Sequence, residues 1–329
     1  MRVAFFGSSR FSCLVFSRLM ASSHTVAVVV SQPDQPAGRR LELRPTEMCV
    51  DAGRLGLPVL KPQRVRNNPQ FRRELAAHHP EALLVASFGQ LISPKVLELT
   101  EWPLNVHPSL LPELRGASPI RTALLQGLRL TGCCVMRMTP QLDDGDVLCR
   151  EELEVGAGWN YERLETELGD LGGRLAVAAL DAVAAGTAHC EPQDHSQATY
   201  CRAHTRQDTW LDWSKSACEL TSFVRAWDPD VGALTTLPDF RPLKIWRAEA
   251  DELPTGAAWF GPALSAPGTL LAVSKRAFWV STGEGVLRID ELQLAGRPRV
   301  NAASFLAGHR LMPGQVLGHA SGIVGGITP

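Results

Sequence analysis

Short apolar runs alternate with helical spacing through the first half of the chain. Residues 3–6, 25–30, 82–86 and 104–106 are almost unbroken apolar stretches, the texture of strands buried on both faces of a parallel sheet. Between them, residues 11–20, 46–53 and 68–77 repeat their apolar positions at helical intervals. That alternation predicts an α/β fold with a doubly wound, mostly parallel sheet. A helix is expected next over 118–126, a strand over 131–138, and a long helix over 160–184 that Gly186 closes.

The texture then changes. Residues 191–208 are rich in Gln, His, Asp and Thr without apolar periodicity and predict a linker. Residues 210–227 are helical in part, whereas 243–246, 268–273, 278–281, 286–292 and 315–316 are short β-like runs split by Gly and Pro. A small β-barrel is the expected result. The predicted organisation is a first domain over 1–190, a linker over 191–208, a second domain over 209–319 and a disordered tail of small residues over 320–329.

Composition narrows the class. A chain of 329 residues exceeds one ordinary core and suits two domains. The formal net charge of −1 gives no global attraction to nucleic acid, which argues against an RNA-binding surface spread over the whole molecule and leaves room for a local basic patch. From Thr209 on, eleven Lys and Arg balance eleven Asp and Glu, so the second domain attracts RNA by no bulk charge. The eight cysteines form no CxxC pair and no regular spacing. Cys133 and Cys134, adjacent in an apolar run, are expected to be small core residues in a reducing compartment, and no metal site is expected. The chain opens directly on a strand and has no long apolar span, so a cytoplasmic protein with no membrane partner is the expectation. Gly7-Ser8-Ser9 lacks the later glycines of a dinucleotide fingerprint, so a nucleotide cofactor is not expected.

The candidate chemistry lies around Asn105, His107 and Asp143. In a strand Asn105 and His107 share one face while Val106 turns into packing. Pro108 lacks an N–H and ends the strand where a parallel sheet opens its ligand crevice. Asn105 offers two amide donors for a developing oxyanion. His107 can donate a hydrogen bond or shuttle a proton, and Asp143 can orient that imidazole. Arg115, just past the Leu110-Leu111-Pro112 turn, fits either a forked donor for an anion or a structural salt bridge, and both readings stay open.

Several stretches carry a family resemblance: Asn105-Val106-His107-Pro108-Ser109-Leu110-Leu111-Pro112, Arg115-Gly116-Ala117-Ser118-Pro119-Ile120, and Leu142-Asp143-Asp144-Gly145-Asp146. Together they resemble the formyltransferases that use 10-formyltetrahydrofolate. Gln32-Pro33-Asp34-Gln35-Pro36-Ala37-Gly38-Arg39, Asp212-Trp213-Ser214 and Leu292-Gln293-Leu294-Ala295-Gly296 narrow the resemblance to the methionyl-tRNA formyltransferases. The resemblance implies a Rossmann-like catalytic domain, an OB-like C-terminal barrel that binds tRNA, 10-formyltetrahydrofolate as donor, and initiator methionyl-tRNA as acceptor. It places the catalytic residues on Asn105, His107 and Asp143, with no metal required, and a monomer is the expectation.

By the same resemblance Phe88, Gly89, Gln90 and Leu91 face Ser109, Leu110, Leu111 and Pro112 across the folate pocket, beside the loop 139–144. Taken singly, Phe88 and Leu91 fit an ordinary core as well. The loop 32–44 matches the basic insertion that reads the tRNA acceptor end, and here it bears Arg39, Arg40 and Arg44 together with Glu42. The second half departs from the family pattern at Trp227-Asp228-Pro229-Asp230 and across 203–208. A sugar-nucleotide N-formyltransferase or a 10-formyltetrahydrofolate hydrolase would share the same three residues. A folate- or RNA-binding protein without catalysis is the alternative of another class.

Overall fold

The first apolar run forms β1 (Arg2–Gly7), and the Ser9 side chain caps α1 (Arg10–Met20) by accepting from the Ser12 N–H. β2 (Thr25–Val30) leads into a small hairpin of β3 (Gln35–Ala37) and β4 (Glu42–Arg44), followed by α2 (Glu47–Arg54), β5 (Val59–Leu60) and α3 (Pro69–Ala76). Thr46 and Asn68 cap α2 and α3 in the same way as Ser9. Next come β6 (Ala82–Ala86), α4 (Pro94–Leu97), β7 (Trp102–His107), β8 (Arg115–Gly116), α5 (Pro119–Leu125), β9 (Leu130–Arg137), β10 (Val147–Glu154), α6 (Tyr161–Ala184) and β11 (Tyr200–Cys201). The computed structural model describes residues 1–37, 42–254 and 266–318.

Seven strands make one sheet in the order β10-β9-β7-β6-β1-β2-β5. Those from β7 to β5 are mutually parallel, while β9 runs antiparallel to both β7 and β10. β1 lies between β2 and β6, so the winding reverses there and the crevice for a ligand opens beyond its carboxyl end. One face packs Ala4, Phe6, Val28, Val30, Leu83 and Val85 against Phe71 and Leu75 of α3. On the other face the Phe5 and Phe16 rings lie 5.3 Å apart. There α6 comes so close that a Cβ on Gly172 would stand 2.7 Å from Val106 Cγ1.

The chain divides into two compact units, the first comprising Met1–Ile120, Arg129–Val155 and Arg163–Ala203. The stretch 191–208, expected to be a linker, needs correction. Its first part is built into this unit: Glu191 bridges Val147, β11 pairs with β8, and Gln193 is buried. Backbone ladders and polar side chains order it, and apolar periodicity reports neither. β10 also escaped the periodicity, because it is a charged edge strand with three consecutive exposed residues.

The second unit, from His204 with Arg121–Leu128 and Gly156–Glu162, continues through α7 (Ala217–Trp227), β12 (Ala233–Thr236), β13 (Pro242–Asp251), β14 (Leu270–Val273), β15 (Phe278–Ser281), β16 (Val286–Leu294), β17 (Val300–Asn301) and α8 (Ala302–Gly308). A capping box, in which Ser216 and Glu219 each accept from the other's N–H, starts α7. The antiparallel order is β12-β13-β16-β15-β14, with β17 on β16. The two edges meet through the following segment, where Gly318 bridges Thr236 and Val316 bridges Thr269, so the sheet closes on itself. Ile245, Phe278, Val280, Leu287 and Ile289 fill its interior. The tail expected to be disordered begins at 320 and lies outside the described residues. Among the described residues no helix is long and apolar enough to cross a membrane.

All eight cysteines are free thiols. Burial pushes the Cys134 and Cys149 thiols up to about 11 and the Cys133 thiol well above its ordinary range. Iodoacetamide at neutral pH is therefore expected to label exposed Cys218 in the folded protein, and Cys133 and Cys134 only after unfolding. Peptide mass spectrometry reads the sites, and labelling of Cys133 in the native state would contradict this packing.

Candidate active site

β7 ends at His107, followed by Pro108, and its alternation puts Asn105 and His107 on one face with Val106 on the other. Both polar side chains are buried, Asn105 to 8% and His107 to 4% exposure. Among the described residues nothing engages the Asn105 amide, which leaves its donors available to a ligand. The His107 ring stands between two oxygen acceptors: Nε2 lies 2.9 Å from the Leu114 carbonyl oxygen, and Nδ1 lies 3.8 Å from Asp143 Oδ2. Asn105, His107 and Asp143, which the sequence singles out, thus gather at one place in the first unit.

Asp143 itself sits in the left-handed region, with φ +49°. Its Oδ2 accepts a hydrogen bond from the Gly116 N–H at 2.8 Å. Gly116 has φ +119°, and a Cβ there would stand 2.1 Å from the Cys201 carbonyl oxygen. Only glycine gives both the backbone angle and the closeness of β8 to β11.

Residues outside the predicted set complete the surroundings. Gln193 donates from Nε2 to the carbonyl oxygens of Asp143 (3.0 Å) and Gly145 (2.6 Å). Arg115, 3% exposed, donates from Nε and Nη2 to Gln193 Oε1 at 3.1 and 2.7 Å. Arg115 is bonded to Gln193 and His195 and, among the described residues, to no carboxylate, so the salt-bridge reading does not hold. Thr199 accepts from the Leu114 N–H through its hydroxyl and from the Arg115 N–H through its carbonyl. Gln193 and Thr199 fall in the stretch that lacks periodicity, and their roles come from contacts remote in sequence that leave no local signal.

The proposed folate-pocket residues are placed variously. Phe88 is a core residue whose ring meets Phe6 edge-on at 5.3 Å. Leu111 belongs to a different cluster, with Cys134, Met136 and Val147. Ser109 turns its hydroxyl inward to the Glu113 carbonyl oxygen at 2.6 Å. Gln90 is bound away to the Val65 N–H and the Pro62 carbonyl oxygen. Leu91 is exposed, Leu110 and Pro112 are half-buried, and Leu110 packs close to Gly132. Gly89, at φ +79°, leaves space for Gln32, whose Nε2 donates to the Phe88 carbonyl oxygen at 2.8 Å. Ser8 joins this point, accepting from the Gln32 N–H and donating to the Phe88 carbonyl oxygen. The root of the loop 32–44 is thereby tied to the loop after β6.

Arg44 is exposed on β4, 4.0 Å from Glu42, while Arg39 and Arg40 lie outside the described residues. Among the described residues no group of three or more His, Cys, Asp or Glu side chains could hold a metal ion.

Gly116→Ala is expected to force β8 from β11, to withdraw the N–H from Asp143, and to cost about 1–3 kcal/mol of stability with a loss of turnover. Thermal denaturation and a rate assay check it, and an unchanged melting temperature and rate would contradict this geometry.

Residues 1–180 match the family described as formyl transferase, and residues 204–310 match the formyl transferase C-terminal domain. The chain is 37% identical to the methionyl-tRNA formyltransferase of Bacillus subtilis, over 96% of this chain and 98% of that one. It is 36% identical to that of Geobacter metallireducens, again over 96% and 98% of the two chains. Among solved structures, HypX from Aquifex aeolicus in complex with tetrahydrofolic acid has a TM-score of 0.59 at 17% identity, covering 93% of this chain and 47% of that one. An N-formyltransferase from Helicobacter canadensis, in complex with folinic acid and dTDP-3-aminofucose, has a TM-score of 0.60 at 13% identity, covering 87% and 97%. These two likenesses concern the fold.

Proposed function

This chain belongs to the methionyl-tRNA formyltransferases, and on that premise we propose how its own residues carry the formyl group. The enzyme transfers a formyl group to the amino group of methionyl-tRNA, with a folate as donor. We take 10-formyltetrahydrofolate as that donor, initiator methionyl-tRNA as the acceptor, and the cytoplasm as the compartment.

Asn105 donates to the formyl oxygen from its amide, and His107 donates from Nδ1, the ring nitrogen not taken by the Leu114 carbonyl oxygen, as the amine adds to the formyl carbon and negative charge develops there. Asp143 holds the imidazole ready and helps remove the proton that the attacking amine must lose. The carbon–nitrogen bond to the folate then breaks, and the folate nitrogen takes up a proton. The observation that carries this reading is the meeting of a buried amide, which nothing among the described residues engages, with an imidazole whose Nδ1 lies 3.8 Å from a carboxylate. Backbone groups of the loops bearing Phe88, Gly89, Gln90 and Leu91 and bearing Ser109, Leu110, Leu111 and Pro112 would hold the pterin. That assignment suits the inward or core positions of several of the side chains.

Asn105→Ala, His107→Ala and Asp143→Ala are each expected to lower turnover by roughly 100- to 1000-fold while circular dichroism stays that of the folded protein. Near-normal rates in both His107→Ala and Asp143→Ala would remove the assignment. Supplying methionyl-tRNA, a sugar-nucleotide amine and water as competing acceptors reads the acceptor directly, and product from water alone would contradict it.

For the loop 32–44 we assign Arg39, Arg40 and Arg44 to tRNA phosphates, supported by the arginine content of the loop and the exposure of Arg44. Removing one arginine from its phosphate should reduce the logarithmic salt slope of binding by about 1. Arg39→Ala, Arg40→Ala and Arg44→Ala are expected to weaken charged-tRNA binding in that way. Unchanged affinity and slope in all three would take the loop out of recognition.

A further inference from the structure

We propose that Gln193, oriented by the buried guanidinium of Arg115, is the positioning residue that holds the Asp143 carboxylate beside His107. The inference rests on Asp143 taking part in the reaction and adds how the fold keeps it there.

The strand register creates the need. β9 runs antiparallel to β7 with Arg137 opposite Leu104, so the connection from β9 to β10 leaves the sheet about three residues short of His107, roughly 10 Å along the strand. Asp143, in that connection, nevertheless brings Oδ2 to 3.8 Å from His107 Nδ1. The Gly116 N–H donates to the carboxylate itself, and something other than the sheet ladder must hold the backbone of the loop back.

Gln193 meets that need at two points, since its Nε2 donates to the carbonyl oxygens of Asp143 and Gly145. It fixes the carbonyl group of a residue in the left-handed region, φ +49°, a conformation that carries some backbone strain for a residue other than glycine. Its own position follows from the antiparallel bridge between Val147 and Glu191, which sets Gln193 across from Gly145.

The direction of the amide is forced by chemistry. Arg115 can only donate, so the atom facing its Nε and Nη2 must be the oxygen, and the NH2 group must face the loop. The same reasoning makes His195 Nδ1 the acceptor of its contact with Arg115 Nη2 at 3.0 Å. A guanidinium exposed to only 3%, with no carboxylate partner among the described residues, is a costly group to bury. Its use here is to pin one amide in one orientation.

Gln193→Glu tests the clamp, because it keeps an acceptor for Arg115 and removes both N–H donors to the loop. The expected result is a fall in kcat of about 100-fold, as for a reacting group displaced by about 1 Å, with KM for donor and acceptor unchanged. In an Asp143→Ala background the same substitution should cause no further loss. Gln193→Met, of similar length and without either polar function, gives the same reading if the Glu variant does not fold. Wild-type kcat in the folded variant, a rise in KM alone, or an equal loss in both backgrounds would overturn the clamp. Wild-type kcat in Asp143→Ala by itself would instead sink the assignment on which it rests.

Discussion

β7 is shared between a parallel neighbour and an antiparallel one, and the rest of the site depends on that arrangement. Pairing with β6 brings its carboxyl end, with Asn105 and His107, to the edge where β1 and β6 open the crevice. Pairing with β9 sends the Asp143 loop out at a different level of the sheet. A ladder alone cannot reconcile the two. Residues 191–201 do so by side chain and backbone, through Gln193 on one side and through Thr199 and β11 on the other.

Several polar groups are buried here, and their hydrogen bonds decide the geometry. His107, Ser109, Arg115 and Gln193 are all under 9% exposed, and each finds an oxygen or nitrogen partner. Loss of any one partner would leave its mate desolvated and unsatisfied, which costs about 1–3 kcal/mol. Such a network tolerates little rearrangement, which suits a site that must present donors in a fixed direction. Asn105 differs, since among the described residues nothing engages its amide.

Much of the fold was legible because burial on both faces leaves a plain signature. The runs that became β1, β2, β6 and β7 are almost unbroken apolar stretches, and the helical spacing between them marked α1, α2 and α3. β10 was not legible, because an edge strand is free to carry Arg150, Glu151 and Glu152 outward. β8 and β11 were not legible either, because two residues of ladder leave no period to detect. Arg115 could not be assigned from its neighbours, since its partners Gln193 and His195 lie some eighty positions away in sequence.

The sequence by itself determined the two textures of the chain, the sheet's apolar strands, the family, and the three residues on which formyl transfer is assigned. The textures and strands follow from residue type and local spacing, and the family and the three residues follow from the resemblance of contiguous motifs, all of which are written one position after another. Tertiary structure alone decided how Asp143 reaches His107, why Gly116 must be glycine, and what a buried Arg115 is bonded to. Each of these is a contact between segments far apart in the chain, fixed by strand register and by the need to satisfy buried polar groups.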